Sequence, residues 1–144
     1  MTKIITFAIA TCALLALAAG FHATLDAQGK STKDGVFTAE QAQRGATLYG
    51  EQCASCHGEK MEGVADLFPA LTGDPFMKTW NGKSVGELYE KIATTMPALD
   101  PGSLKPEQVA DLVAHMLNEE KFPAGTTALA ASADPLKTIK IELK

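Results

Sequence analysis

Cys53, Ala54, Ser55, Cys56 and His57 stand together, and this run of two thiols and an imidazole could serve three kinds of chemistry. A Cys-x-x-Cys pair can work as a redox dithiol or supply half of a zinc site. Followed directly by His, it can attach haem, with the thiols adding to the vinyl groups and the imidazole set beneath the iron. The spacing suits the third use. Two thioethers a helical turn apart pin one edge of a macrocycle, and the next residue can then point its ring at the metal. A redox dithiol belongs in a βαβ setting, which the helical patterning of this chain does not offer. Zinc requires four ligands, and outside the motif only His22 and His115 remain as histidines.

A six-coordinate haem needs a second axial ligand, and the soft thioether of Met is the usual partner of His in electron transfer. The candidates are Met61, Met77, Met96, Met116 and His115. Met61 follows His57 too closely to round the macrocycle. Met116 falls on an apolar helix stripe, and His115 beside it reads as a packed or partly exposed residue. Met77 lies in a loop. Met96 lies between a helix end and Pro97, in a loop whose backbone Pro97 and Pro101 partly fix, and it is the expected ligand.

These residues must be positioned by a few helices. Thr38 and Gln41 form a capping-box pattern ahead of Ala42, Gly45, Ala46 and Tyr49, predicting a helix over residues 38–52. Residues 58–82 carry Gly63, Pro69, Gly73, Pro75 and Gly82 and predict mostly loop. Ser84 and Glu87 repeat the capping pattern ahead of Val85, Leu88, Tyr89 and Ile92, for a helix ending near Thr94. Pro106 opens a third helix with the stripe Val109, Leu112, Val113 and Met116, ending near 118–121. In residues 137–144, Ile139, Ile141 and Leu143 alternate with charged residues as in one short strand, which either joins a partner's sheet edge or is a tail that lies over its own domain or is disordered. So small a helical core buries little apolar surface, and a large apolar cofactor would complete it.

The chain begins with a short positive stretch and an apolar run from Ile4 to Ala19, the pattern of a secretory signal peptide. The run is shorter than the roughly 20 apolar residues of a spanning helix. The expected organisation is a signal peptide at 1–23, with cleavage between about 18 and 27, a flexible leader at 24–36, a haem domain at 37–122 and a C-terminal tail at 123–144. Cleavage would remove Cys12 and leave the motif as the mature chain's cysteines. Removal of residues 1–23 would also remove Lys3 and no acidic residue, making the net charge one unit more negative than −4. That balance argues against nucleic acid or an anionic membrane as partner.

From Thr38 to about Leu117 the sequence resembles class I cytochromes c, which share its order of N-terminal helix, Cys-x-x-Cys-His, Pro-x-Leu, Met-Pro and C-terminal helix. The resemblance implies an all-α cytochrome c fold around one covalent haem c, with His57 and Met96 on the iron. It also implies that the Pro69 carbonyl accepts from the His57 ring, that Leu71 packs on the haem, and that Gly45 and Tyr49 meet Leu112 and His115 where the first and last helices cross. His115 departs from the family, which usually has an aromatic residue there. Trp80 stands where members often direct an aromatic donor at a haem propionate, and it also reads as a core residue. The stretch from Phe76 through Met96-Pro97 to Leu104 is similar to cytochromes associated with quinoprotein alcohol and sugar dehydrogenases. The implied function is single-electron transfer in the periplasm, with such a dehydrogenase as donor and a terminal oxidase as acceptor, and no catalysis of its own.

Overall fold

The computed structural model describes residues 31–143, so the expected signal peptide and the first part of the leader lie outside the described residues. Six helices follow in order: α1 (Ala39–Gln52), α2 (Ala54–His57), α3 (Gly73–Trp80), α4 (Val85–Thr95), α5 (Pro106–Glu119) and α6 (Ala133–Leu136). Among the described residues β pairing is limited to isolated bridges. The fold is all-α.

The caps explain where the long helices begin. Thr38 accepts the Gln41 N–H at 3.2 Å at the head of α1. Ser84 and Glu87 exchange side-chain bonds with each other's backbone N–H at the head of α4, satisfying two otherwise orphaned donors. Pro106 takes the first position of α5, where a missing N–H costs nothing. In α1 the side chain of Gln41 does not complete a box. It is buried and instead brackets Leu129, donating to its carbonyl at 3.1 Å and accepting its N–H at 2.8 Å, which ties the tail to α1.

α1 and α5 cross at Gly45. A Cβ there would run into the Asp111 carbonyl and lie 2.9 Å from the His115 Cβ, so the backbones touch where only hydrogen can stand between them. One turn on, the Tyr49 and His115 rings meet at 5.6 Å between centroids. Arg44 clamps the crossing by two bonds to the Asp111 carboxylate, 2.8 and 2.7 Å long. Leu112, Val113, Met116 and Leu117 of α5 are buried in the shared core with Val85, Leu88 and Ile92 of α4.

Three segments differ from the sequence expectation. Residues 73–80, expected as loop, form α3. Pro75 falls in its first turn, where proline is tolerated, and Phe76 and Met77 give it a buried face. The described part of the expected flexible leader is a 3-10 turn, Thr32–Asp34, capped by Ser31 and followed by the fully buried Val36 and Phe37. The expected C-terminal strand exists only as single bridges, from Lys140 to Ser31 and to Ser84. Ile139 and Ile141 are nonetheless fully buried, and their backbones pair with Val85, Gly82 and Lys83, so the tail lies over its own domain.

Candidate haem-binding site

The motif Cys53 to His57 occupies one helical turn. The Cys53 carbonyl accepts from the N–H groups of Cys56 and His57, at 3.1 and 2.9 Å, and this turn sets the two thiols a helical step apart with the imidazole next to them. Neither thiol is in a disulfide. Burial first, and the neighbouring Cys56 second, push the free Cys53 thiol up to about 11. A redox dithiol relies on a lowered thiol pKa, so this environment disfavours that chemistry.

His57 is buried, with 7% of its surface exposed. Its Nδ1 lies 2.9 Å from the Pro69 carbonyl oxygen. A carbonyl only accepts, so Nδ1 carries the proton and Nε2 keeps its lone pair free for a metal. Nε2 has no hydrogen-bond partner among the described residues. The Phe68 ring stands edge-on to the imidazole at 6.1 Å.

The loop after the motif brings Pro69 to the ring. The Gly63 N–H donates to the His57 carbonyl at 2.8 Å, Val64 and Phe68 exchange backbone bonds, and the Leu71 N–H donates to the Met61 carbonyl at 2.8 Å. Gly63 has φ +69°, and a Cβ there would strike Phe68, Pro69 and Ala70, so this turn requires glycine on both conformational and steric grounds. Tyr49 reaches over from α1 and donates its hydroxyl to the Gly58 carbonyl at 2.6 Å. Burial, then Cys53 and Glu62, push that hydroxyl up to about 12, so it stays a donor.

Met61, Met77 and Met116 are buried in the core, and His115 packs on Tyr49. Met96 is only half-buried at the end of α4, as are Leu71 and Trp80, all three packed on the edge of the core. Trp80 lies between the Phe76 ring, 6.3 Å away, and the Lys83 ammonium, 4.9 Å from its centroid. Sequence reasoning missed the Tyr49 bond to Gly58 and the carboxylate of Glu120, which accepts from Thr72 and Gly73. Their partners are set by packing, and no local signal announces them.

The donor set fits a haem: two free thiols on one turn, an adjoining buried imidazole with its distal nitrogen unused, and half-covered apolar side chains at the core edge. A family model described as cytochrome c oxidase, cbb3-type, subunit III matches residues 40–116. The chain belongs to this family of c-type cytochromes. As such it holds one haem c through the Cys53–His57 motif and carries electrons. Cytochrome c-551 of Bacillus subtilis (strain 168) is 30% identical over 96 residues, covering 67% of this chain and 79% of that protein. The cytochrome c subunits of the quinone alcohol dehydrogenases of Gluconacetobacter polyoxogenes and Komagataeibacter europaeus are each 31% identical over 104 residues. The chain spans 22% of the length of either subunit. The sulfane dehydrogenase SoxCD of Paracoccus pantotrophus shares the fold, with a TM-score of 0.54, 20% identity and coverage of 69% of this chain and 52% of its own.

Proposed function

We propose that the protein is a periplasmic single-electron carrier whose iron is held by His57 Nε2 and Met96 Sδ. The observation that carries this reading is the buried His57 ring with Nδ1 committed to Pro69 at 2.9 Å. That bond orients the ring, selects the tautomer with a free Nε2 and increases its basicity. Met96 is favoured by its place between the end of α4 and Pro97, while Met61, Met77 and Met116 pack in the core and His115 packs on Tyr49. The bound haem supplies the one-electron couple, and Met ligation raises its potential. The chain's residues would do the rest: Cys53 and Cys56 would hold the haem through two thioethers, Leu71 would pack against it, and Trp80 would serve as a packing residue or propionate donor.

We assign residues 1–23 to an export signal, 37–122 to the haem domain and 123–144 to a packed tail. No helix among the described residues is long and apolar enough to cross a membrane. The likeness to alcohol dehydrogenase cytochrome subunits supports a quinoprotein dehydrogenase as donor; a terminal oxidase is the acceptor in this proposal. Docking would be small and transient, as redox encounters are.

The test is the absorption spectrum of oxidised holoprotein, made with haem-attachment machinery, for the wild type, Met96→Ala and Met77→Leu. The expected result is a weak far-red sulfur-to-iron band in the wild type and Met77→Leu that Met96→Ala loses. A band that survives Met96→Ala, or is absent from the wild type, contradicts the ligation.

A further inference from the structure

Glu120 follows the last residue of α5, and only 8% of its surface is exposed. A carboxylate at a helix C-terminus faces the negative end of the helix dipole, and a buried one is costly unless its oxygens are satisfied. Here one of them is satisfied from another part of the fold. One oxygen, Oε1, accepts from the Thr72 hydroxyl at 2.8 Å and also from the Gly73 N–H. Thr72 occupies the N-cap of α3, yet its own side chain makes no capping bond. Glu120 is therefore the acceptor at the head of α3, where negative charge is favoured.

The segment so held leads straight to the haem ligand. Next to Thr72, the Leu71 N–H is fixed by the Met61 carbonyl at 2.8 Å. Two residues before Leu71, the Pro69 carbonyl accepts from His57 Nδ1 at 2.9 Å. Residues 69–73 thus run as a short tie, with the imidazole at one end and α5 at the other. The Glu120 bonds are what join that tie to α5.

We propose that Glu120 is a positioning residue for the haem: by holding Thr72 and Gly73 against α5, it keeps the Pro69 carbonyl in register with the His57 ring. The proposal rests on His57 being an axial ligand. A slack tie lengthens the His57 to Pro69 bond and makes the imidazole a poorer electron donor, which stabilises the oxidised iron less and raises the potential.

The test measures the reduction potential and far-red band of the holoprotein for the wild type, Glu120→Ala, Glu120→Gln and Thr72→Val. Because both bonds end on one oxygen, the Gln amide oxygen can accept both. Glu120→Ala is expected to shift the reduced-to-oxidised ratio at fixed poise about threefold or more toward the reduced form, on a scale where tenfold is 59 mV for one electron. Glu120→Gln is expected to restore the wild-type value, and Thr72→Val to move it less in the same direction. If Glu120→Ala melts at a lower temperature with an unmoved potential, Glu120 is a helix cap only and the proposal is overturned. If Glu120→Ala yields no holoprotein, an unmoved potential in Thr72→Val overturns it equally. The wild-type band separates the two readings. Its absence refutes the Met96 ligation, and a His57→Ala protein that keeps the wild-type spectrum refutes the His57 ligation, whereas unmoved Glu120 and Thr72 variants with both signatures in place refute only the role of Glu120.

Discussion

Two glycines on one helix meet opposite surroundings, and replacing each by alanine tests how α1 packs on α5. At Gly45 an added Cβ overlaps the Asp111 carbonyl and the His115 Cβ, which are parts of a helix and cannot rotate away. Overpacking of this kind costs about 1–3 kcal/mol, and a backbone obstacle places it at the upper end. Against this stands the gain of roughly 0.5–1 kcal/mol from replacing glycine inside a helix. The net expectation for Gly45→Ala is a loss of about 2 kcal/mol, equivalent to a melting temperature lower by roughly 10 °C. Gly50 is exposed with nothing within 4 Å of its added Cβ, so Gly50→Ala keeps only the gain and should melt a few degrees higher. Denaturant titration of the holoproteins, read by far-UV circular dichroism with m held constant, measures both. A Gly45→Ala protein as stable as the wild type refutes the close crossing. Equal losses in both variants would trace the effect to α1 itself and not to its contact with α5.

Other expectations follow from individual contacts. Burial depresses the His115 pKa below its ordinary 6.5, with Glu119 opposing. The unfolded chain therefore binds that proton more readily, and stability present at neutral pH declines as pH falls through about 6.5. His115→Phe should flatten this slope in thermal melts between pH 7 and 5.5, and an unchanged slope would place its origin elsewhere. Deleting residues 138–144 removes the fully buried Ile139 and Ile141 and should cost about 3–6 kcal/mol. A truncated protein that melts like the wild type would show that the tail is not part of the core. Tyr49→Phe removes the 2.6 Å bond to the Gly58 carbonyl and should cost about 1 kcal/mol in urea titration, whereas no loss would mean that water replaces it without penalty.

The parts of the molecule legible in the sequence are those governed by near neighbours. Thr38, Ser84 and Pro106 mark helix starts because a cap acts within one turn, and the structure begins α1, α4 and α5 beside them. The Cys53–His57 motif is equally local. The distance from His57 to Pro69 was legible through resemblance to a family, since nothing in twelve residues of spacing alone brings a carbonyl to a ring. α3 escaped notice because Gly73 and Pro75 look like loop residues, although its stability comes from burying Phe76 and Met77. Gln41 looked like half of a local box, but a buried partner at Leu129 claimed it. Glu120 was invisible for the same reason, its donors lying 48 and 47 residues away. The alternation of Ile139, Ile141 and Leu143 suggested a strand that exists only as single bridges at Lys140, while the buried Ile139 and Ile141 show which surface the tail covers.

The most direct test of the carrier account is a potentiometric titration of the purified holoprotein, followed by absorbance, with the reduced form then exposed to carbon monoxide. A single reversible one-electron wave and a reduced spectrum unaltered by carbon monoxide are expected of an iron saturated by His57 and Met96. Rapid carbon monoxide binding would reveal an open or labile iron face and contradict the account.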